Sequence, residues 1–324
     1  MKISDRKVGI NIERDLPSCI SSPEEMLLFD IETTGLKREY CRVYLIGCAY
    51  MDTDGWHIRQ YLTESGEDEK AVLCAFADMA ENFRCLMTFN GEGFDIPFID
   101  YRNRYYGLGF DINSLESFDI YKAIKPAKKL TGAKSFSQKA VEELLGIGRD
   151  DRLNGGLLIP YYFEYETSHS PEDERLLLLH NFEDVLGMAK ILPALDYLDI
   201  FEGAFEYSGY AFEKDRLAVT FILDKSVPAG FDNGKVRAAE RTLCVYFDVK
   251  DENVLLPLKD PENYYYLPAE DTVVHKDLAC FVDKKYRKKA TRENCFLKVG
   301  KEKISGIDRD DLKSYAMNII DMYK

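Results

Sequence analysis

Five residues in the first two thirds of this 324-residue chain have the types and spacings that do chemistry: Asp30 and Glu32, then Asp95, then His180 and Asp184. Asp30 and Glu32 close an apolar run, Met26 to Ile31, that stops at Thr33-Thr34-Gly35. A buried strand sends alternate side chains to one face, so the two carboxylates share one small space. Like charges that close repel, and such a pair either holds a proton above the usual carboxylate range or binds a cation. A solvated strand end is the competing reading, because acids are mostly exposed. The same Asp-x-Glu pattern recurs at Asp260 and Glu262, around a proline and among turn residues.

Asp95 ends the stretch Asn90-Gly91-Glu92-Gly93-Phe94-Asp95, directly after a short apolar run. It stands where strand passes to helix, either as a site residue or as a helix N-cap. His180 and Asp184 are four apart and share a helix face. Their helix opens at Ser170-Pro171, with proline in the favoured first position, and runs to about Leu192. Leu176 to Leu179, Phe182, Val185 and Leu186 surround the pair, and polar groups there are costly unless used or paired. A buried structural ion pair is the alternative. His169 and Asp173 repeat the spacing but straddle the helix start, where Asp173 is a favourable first-turn acid.

If the four carboxylates converge, their charges require cations, and an all-oxygen set suits magnesium or manganese better than zinc. Two ions held that way stabilise both the attacking and the leaving oxygen when a phosphodiester is cut, and His180 would orient or deprotonate the water. From Tyr121 to Ala140 six lysines, at 122, 125, 128, 129, 134 and 139, occur without one acid. A lysine-rich loop of this kind is either solvated or holds backbone phosphates.

The elements that must position these residues read as mixed α/β. Met26 to Ile31, Arg42 to Met51 and Trp56 to Thr63 are expected strands, the last two joined by a turn at Asp52-Thr53-Asp54-Gly55. Val72, Leu73, Phe76 and Met79 predict a helix over 67–82; a strand over 84–89 and a helix over 96–106 follow. A short strand is expected at 117–120, a helix from Ser135 and Ser137 to Leu145, and a loop over 146–156 with Arg149, Asp150, Asp151 and Arg152. Residues 1–25 read as a surface lead-in. After about residue 200 the composition shifts to short alternating runs, at 217–223, 242–247, 263–267 and 294–299, so 201–324 reads as a strand-rich domain. A helix is expected over 271–282, then the basic run Lys284 to Arg292 around Tyr286. Tyr264-Tyr265-Tyr266 offers faces for stacking bases, with at least one ring left for packing.

Hydrophobic residues make up 46% of the chain, enough for a large core, and no apolar run approaches the length that crosses a bilayer. Met1 to Asp15 has no apolar signal region. The eight cysteines form no Cys-x-x-Cys pair, which fits a reducing cytoplasm and disfavours cysteine-held zinc. A net charge of −14 excludes bulk coating of nucleic acid but not an enzyme acting on it.

Phe29-Asp30-Ile31-Glu32-Thr33-Thr34-Gly35-Leu36, Phe89-Asn90-Gly91-Glu92-Gly93-Phe94-Asp95 and His180-Asn181-Phe182-Glu183-Asp184 resemble, in order, the three motifs of the DEDD exonucleases of the RNase H-like superfamily. With Leu145-Gly146-Ile147-Gly148-Arg149-Asp150-Asp151 ahead of the last motif, the chain is similar in particular to the YprB-type branch, over about 26–195. The resemblance implies an RNase H-like mixed β-sheet flanked by helices over 26–200. It implies metal ligands Asp30, Glu32, Asp95 and Asp184 for two divalent ions, Mg2+ or Mn2+, and His180 as the water-activating residue. Thr33, Thr34, Gly35 and Leu36 would line the terminal-nucleotide site and Asn90 would support the second motif. Lys128, Lys129 and Lys134 are the candidate phosphate contacts. One departure stands out: His180 has three residues between it and Asp184, the spacing of the family's tyrosine branch, where its histidine branch has four.

The expectation is therefore a cytoplasmic, metal-dependent nuclease, a 3′-to-5′ exonuclease acting on a single-stranded DNA or RNA end. No membrane and no protein partner is inferred. A catalytically silent nucleic-acid-binding module and a structure-selective endonuclease on the same fold are the alternatives.

Overall fold

The computed structural model describes residues 1–12, 20–151, 153 and 155–324. Cys19 of the lead-in and Arg152 of the expected loop lie outside the described residues. The chain divides into two compact units, Met1–Lys125 with Ser135–Leu195, and Pro126–Lys134 with Asp196–Lys324.

The first unit contains β1 (Lys2–Val8), β2 (Met26–Thr33), β3 (Val43–Asp52), β4 (Gly55–Leu62), α1 (Glu69–Ala80), β5 (Cys85–Thr88), α2 (Asp95–Tyr106) and β6 (Glu116–Asp119). There follow α3 (Ile120–Thr131), whose second half belongs to the other unit, α4 (Gln138–Leu144), α5 (Gly155–Ser168) and α6 (Pro171–Lys190). The sheet order is β1-β4-β3-β2-β5-β6. Strands β1 to β4 pair antiparallel, whereas β2, β5 and β6 run parallel. This is a mixed α/β sheet with β2 near its centre and covered on both faces, which is why β2 reads as an unbroken apolar run.

The two faces are filled by different helices. Leu27, Phe29 and Ile31 of β2 pack with Val72, Leu73 and Phe76 of α1. On the other face Tyr44, Leu45 and Leu62 pack with Leu158, Tyr162 and Tyr165 of α5 and Leu177 and Leu178 of α6. Tyr44 stacks on Tyr162 with centroids 4.2 Å apart, worth about 1 kcal/mol beyond area burial. Period two therefore turns Asp30 and Glu32 toward the face that α6 covers.

Three sequence expectations are corrected here. The lead-in contains β1, which pairs along its whole length with β4; as an exposed edge of mostly charged residues, Lys2-Ile3-Ser4-Asp5-Arg6-Lys7, it lacks an apolar alternation. The lysine-rich stretch is largely helix rather than loop, because Ile120, Ile124, Ala127 and Leu130 form a buried stripe at helical spacing. Pro126 lies inside that helix and masks it in the sequence. The helix expected over 271–282 is absent. β-branched Thr272, Val273 and Val274 instead form a strand, entered through Asp271 at φ 46°, with only a short 3-10 turn at Ala279–Phe281.

The second unit is α+β. It holds α7 (Tyr197–Glu202), β7 (Phe205–Glu213), β8 (Arg216–Leu223), β9 (Phe231–Asp232), β10 (Val236–Ala239), β11 (Thr242–Lys250) and β12 (Asn253–Pro257). Then come β13 (Tyr264–Leu267), β14 (Thr272–His275), β15 (Lys288–Lys289), β16 (Phe296–Gly300) and α8 (Arg309–Ile320). One sheet runs β16-β12-β11-β10-β9, with β8 also on β11 and β7 on β8; a three-stranded sheet runs β14-β13-β15. No helix among the described residues is long and apolar enough to cross a membrane.

Candidate metal centre

The site is built on the last turn-ward residues of β2. Asp30 lies opposite Gly47 of β3, and that glycine is a spatial necessity: a Cβ there would stand 2.1 Å from Asn181 Oδ1 and 2.9 Å from Val185 Cγ2 of α6. Its absence lets α6 approach the sheet. Asn181, fully buried, then donates from Nδ2 to Asp30 Oδ2 at 3.1 Å and to the Asp30 carbonyl at 3.3 Å. Gln60 of β4 donates to Asn181 Oδ1 at 3.0 Å and so fixes the amide's orientation.

His180, the residue before, is 3% exposed. Its Nε2 is 3.3 Å from Glu32 Oε1 and 3.2 Å from Asp184 Oδ2. Its Nδ1 is 2.8 Å from Asp151 Oδ2. Burial of Asp151 works against ionisation but is outweighed by the Leu153 amide, His180 and Lys139, so its carboxyl sits below the usual range. An ionised Asp151 can only accept, so His180 Nδ1 is the donor. Glu32, His180 and Asp184 each offer a ligand atom within 4.8 Å of the others.

Asp95 opens α2 with Phe94 at the N-cap position, so it is not the cap. Its carboxylate instead accepts from the Ile31 amide of β2 at 3.1 Å, which holds it against the strand that carries Asp30 and Glu32. Burial, then the charges of Asp95, Asp184 and Glu32, push Asp30 well above the usual carboxylate range, against the Asn181 hydrogen bond. Burial, then Asp184 and Asp95, push Glu32 up to about 8. Burial raises Asp95 to about 7, although the Ile31 amide opposes it. The buried Tyr44 hydroxyl lies near enough to Glu32 to favour its ionised form, without a hydrogen bond of normal geometry. Asp30, Glu32 and Asp95 are thus buried within range of one another's charges and of Asp184 on α6, while the ligand atoms that meet are those of Glu32, His180 and Asp184, without Asp30 or Asp95.

Two further residues, which motif spacing did not single out, complete the surroundings. Arg149 donates to Asp184 Oδ1 at 2.5 Å and pairs with Glu142 of α4. Asp151 anchors the histidine. Both stand in the segment between α4 and α5, where no fixed spacing relates them to α6. Only their place in Leu145 to Asp151, the stretch quoted for the family branch, pointed to them.

Of the other candidate residues, Thr33 Oγ1 donates to the Gly35 carbonyl at 2.8 Å, and Thr34 Oγ1 accepts from the Arg42 amide at 2.9 Å. These hydroxyls fix the turn after β2. Leu36 projects from it, 85% exposed. Asn90 takes φ 65°, and its amide donates to Asp119 Oδ1 at 2.9 Å, so it ties the second motif to the end of β6. Lys128, Lys129 and Lys134 belong to the second unit. His169 lies outside the group of Glu32, His180 and Asp184, at φ 50° ahead of α6.

The donor set fits a divalent cation. Carboxylates crowded until they retain protons near neutrality, facing an imidazole nitrogen, are relieved when a cation replaces those protons. This arrangement agrees with sequence comparison. Residues 27–195, just over half of the chain, match the family model described as RNase_H superfamily. The chain belongs to the RNase H superfamily. It is 28% identical over 170 residues to a Bacillus subtilis (strain 168) protein, "Uncharacterized protein YprB", a match spanning 51% of this chain and 40% of that protein's length. Among solved structures, a family B DNA polymerase from Pyrobaculum calidifontis is similar over 56% of this chain and 26% of its own, at 21% identity and TM-score 0.43. A chain described as "apo form of the nuclease" is similar over 56% of this chain and 76% of its own, at 16% identity and TM-score 0.36.

Proposed function

We propose that this protein is a metal-dependent nuclease that hydrolyses phosphodiester bonds in nucleic acid, as a 3′-to-5′ exonuclease using two divalent ions, Mg2+ or Mn2+. The observation that carries the reading is the meeting of Glu32, His180 and Asp184 at the end of the central strand, supported by the buried Asp30 and Asp95 within range of the same charges. When bound, the ions supply charge stabilisation for the attacking and leaving oxygens of an in-line displacement.

The chain's own residues set up that chemistry. Asn181 and Gln60 hold Asp30 in one orientation, the Ile31 amide holds Asp95, and Asp151 holds His180. Arg149 keeps the second oxygen of Asp184 occupied, so only one faces the centre. The turn Thr33-Thr34-Gly35-Leu36, with Leu36 exposed beside the site, is the proposed seat of the terminal nucleotide. Residence in a reducing cytoplasm is part of the same reading, since Cys48, Cys244 and Cys295 are buried thiols.

The test is direct. Purified protein with Mn2+ or Mg2+ shortens an end-labelled single strand from its 3′ end, and Asp30→Asn lowers the rate by more than about a hundredfold while the fold persists. DNA and RNA oligonucleotides assayed side by side identify the substrate. Cutting of a circular strand would replace the exonuclease reading with an endonuclease, and binding without cleavage would leave a silent module.

A further inference from the structure

We propose that His180 Nε2 is itself a metal ligand, sharing one ion with Glu32 and Asp184, with Asp151 as the anchor of its Nδ1, and that the site thereby selects manganese over magnesium. The inference rests on the metal-dependent reading above. It assigns His180 a different task from activating water.

The geometry carries it. With Asp151 accepting from Nδ1, the second ring nitrogen presents a lone pair. That lone pair faces carboxylate oxygens of Glu32 and Asp184 at 3.3 and 3.2 Å. Three lone-pair donors directed at one another at that range repel unless a proton or a metal stands between them. Ligands about 2.1 Å from a six-coordinate metal and at right angles to each other lie about 3 Å apart. The two separations on either side of Nε2 match such an edge.

The surroundings have the organisation of a ligating histidine. A metal-bound imidazole donates its other N–H to a carboxylate or carbonyl, which fixes its tautomer and ring plane. Asp151 does this at 2.8 Å and is held in turn by the Leu153 amide at 3.0 Å and Lys139 Nζ at 3.2 Å. At Gly155 an added Cβ would stand 3.3 Å from Glu32 Oε2 and 3.8 Å from His180 Nε2, so the start of α5 roofs the same atoms. The spacing seen in the sequence supplies the cause. Placing His180 four residues before Asp184 puts both on one helix face, side by side, whereas a fifth residue would rotate the ring away by about 100°.

An imidazole among the donors alters metal preference. Magnesium favours oxygen-only octahedra and keeps its waters, whereas first-row transition ions accept imidazole readily. Manganese is the member that also suits the carboxylates.

Pulsed electron paramagnetic resonance on the full-length protein, stripped with chelator and reloaded with Mn2+, tests the proposal without relying on activity. The expected result is modulation from a directly coordinated 14N nucleus, lost in His180→Gln. Calorimetric titration of Mn2+ and Mg2+ gives the second readout. His180→Gln lowers Mn2+ affinity by at least about tenfold and Mg2+ affinity by much less. Asp151→Asn keeps the nitrogen signal and weakens Mn2+ by roughly tenfold to a hundredfold. Bound Mn2+ with no 14N coupling in the wild-type protein overturns the proposal, as does failure to bind Mn2+ at all; neither result depends on a variant folding. Nitrogen-coupled Mn2+ in a protein that cleaves no nucleic acid leaves the ligand assignment standing and removes the nuclease reading. Mn2+-dependent cleavage without nitrogen coupling does the reverse.

Discussion

The centre depends on one missing side chain as much as on those present. Gly47 lies opposite Asp30 in the β2–β3 pair, and the space a Cβ would fill is taken by Asn181. Gly47→Ala therefore must displace α6 or turn the Asn181 amide, with a cost of about 1–3 kcal/mol for overpacking. Urea unfolding measures the stability loss, and a fall in Mn2+ affinity reports the accompanying shift of Asp30. Stability lost without any change in metal binding would show that Asn181 is packing alone. Asn181 sits inside the motif His180-Asn181-Phe182-Glu183-Asp184, yet nothing in the sequence assigns it a role, because its partners Gln60 and Asp30 are distant in the chain. Asp30 and Glu32 were legible since period two puts them on one face with only Ile31 between them. Asp151 was not, because its relation to His180 exists only once the segment ahead of α5 has folded over α6.

At the level of elements, α2 has to be held in place for Asp95 to reach β2. Glu69 of α1 and Arg102 of α2 form a forked pair, fully buried at Glu69 and nearly so at Arg102. Glu69 also accepts from the Val43 amide at 2.9 Å and the Tyr106 hydroxyl at 2.8 Å. One carboxylate thus ties α1, α2 and β3 together. Arg102→Met leaves that charge buried with its guanidinium gone and costs about 3–5 kcal/mol. Chemical denaturation gives the value, and weaker metal binding in the surviving folded fraction shows that α2 positions Asp95. A loss under about 1 kcal/mol would mean that water replaces the guanidinium there. Elements with a buried stripe and no interruption, such as α1 and α6, could be read from the sequence. Helix α3 was obscured by Pro126, and β1 by being an exposed edge whose pairing is made by backbone atoms rather than by apolar side chains.

For the molecule as a whole, the acid cluster is a cost of function that stability measurements can read. Glu32 titrates near 8 and Asp95 near 7 in the folded protein, against 4.5 and 3.8 when the groups are free. Both acids bind their protons more tightly folded than unfolded. As pH rises from the free values toward the folded ones, the unfolded chain has already released protons that the folded chain retains, so the stability of the metal-free protein falls. The share carried by Glu32 and Asp95 is fully lost once pH exceeds about 8, and Asp30, also held well above the usual carboxylate range, adds to the loss. Removing one charge relieves the repulsion. Metal-free Asp30→Asn is therefore expected to melt higher than wild type at about pH 8.5, with the gap closing toward about pH 5, where the carboxyls are protonated anyway. Saturating Mn2+ reverses the order. It binds the folded wild type and adds about 2.7 kcal/mol at a hundredfold excess over Kd, and this gain is reduced in the variant. Differential scanning calorimetry across that pH range, with chelator and then with Mn2+, measures all of these. A metal-free wild type whose melting temperature does not change between about pH 5 and 9 would mean that the four carboxylates do not share one desolvated space, and the metal centre would fall with that result.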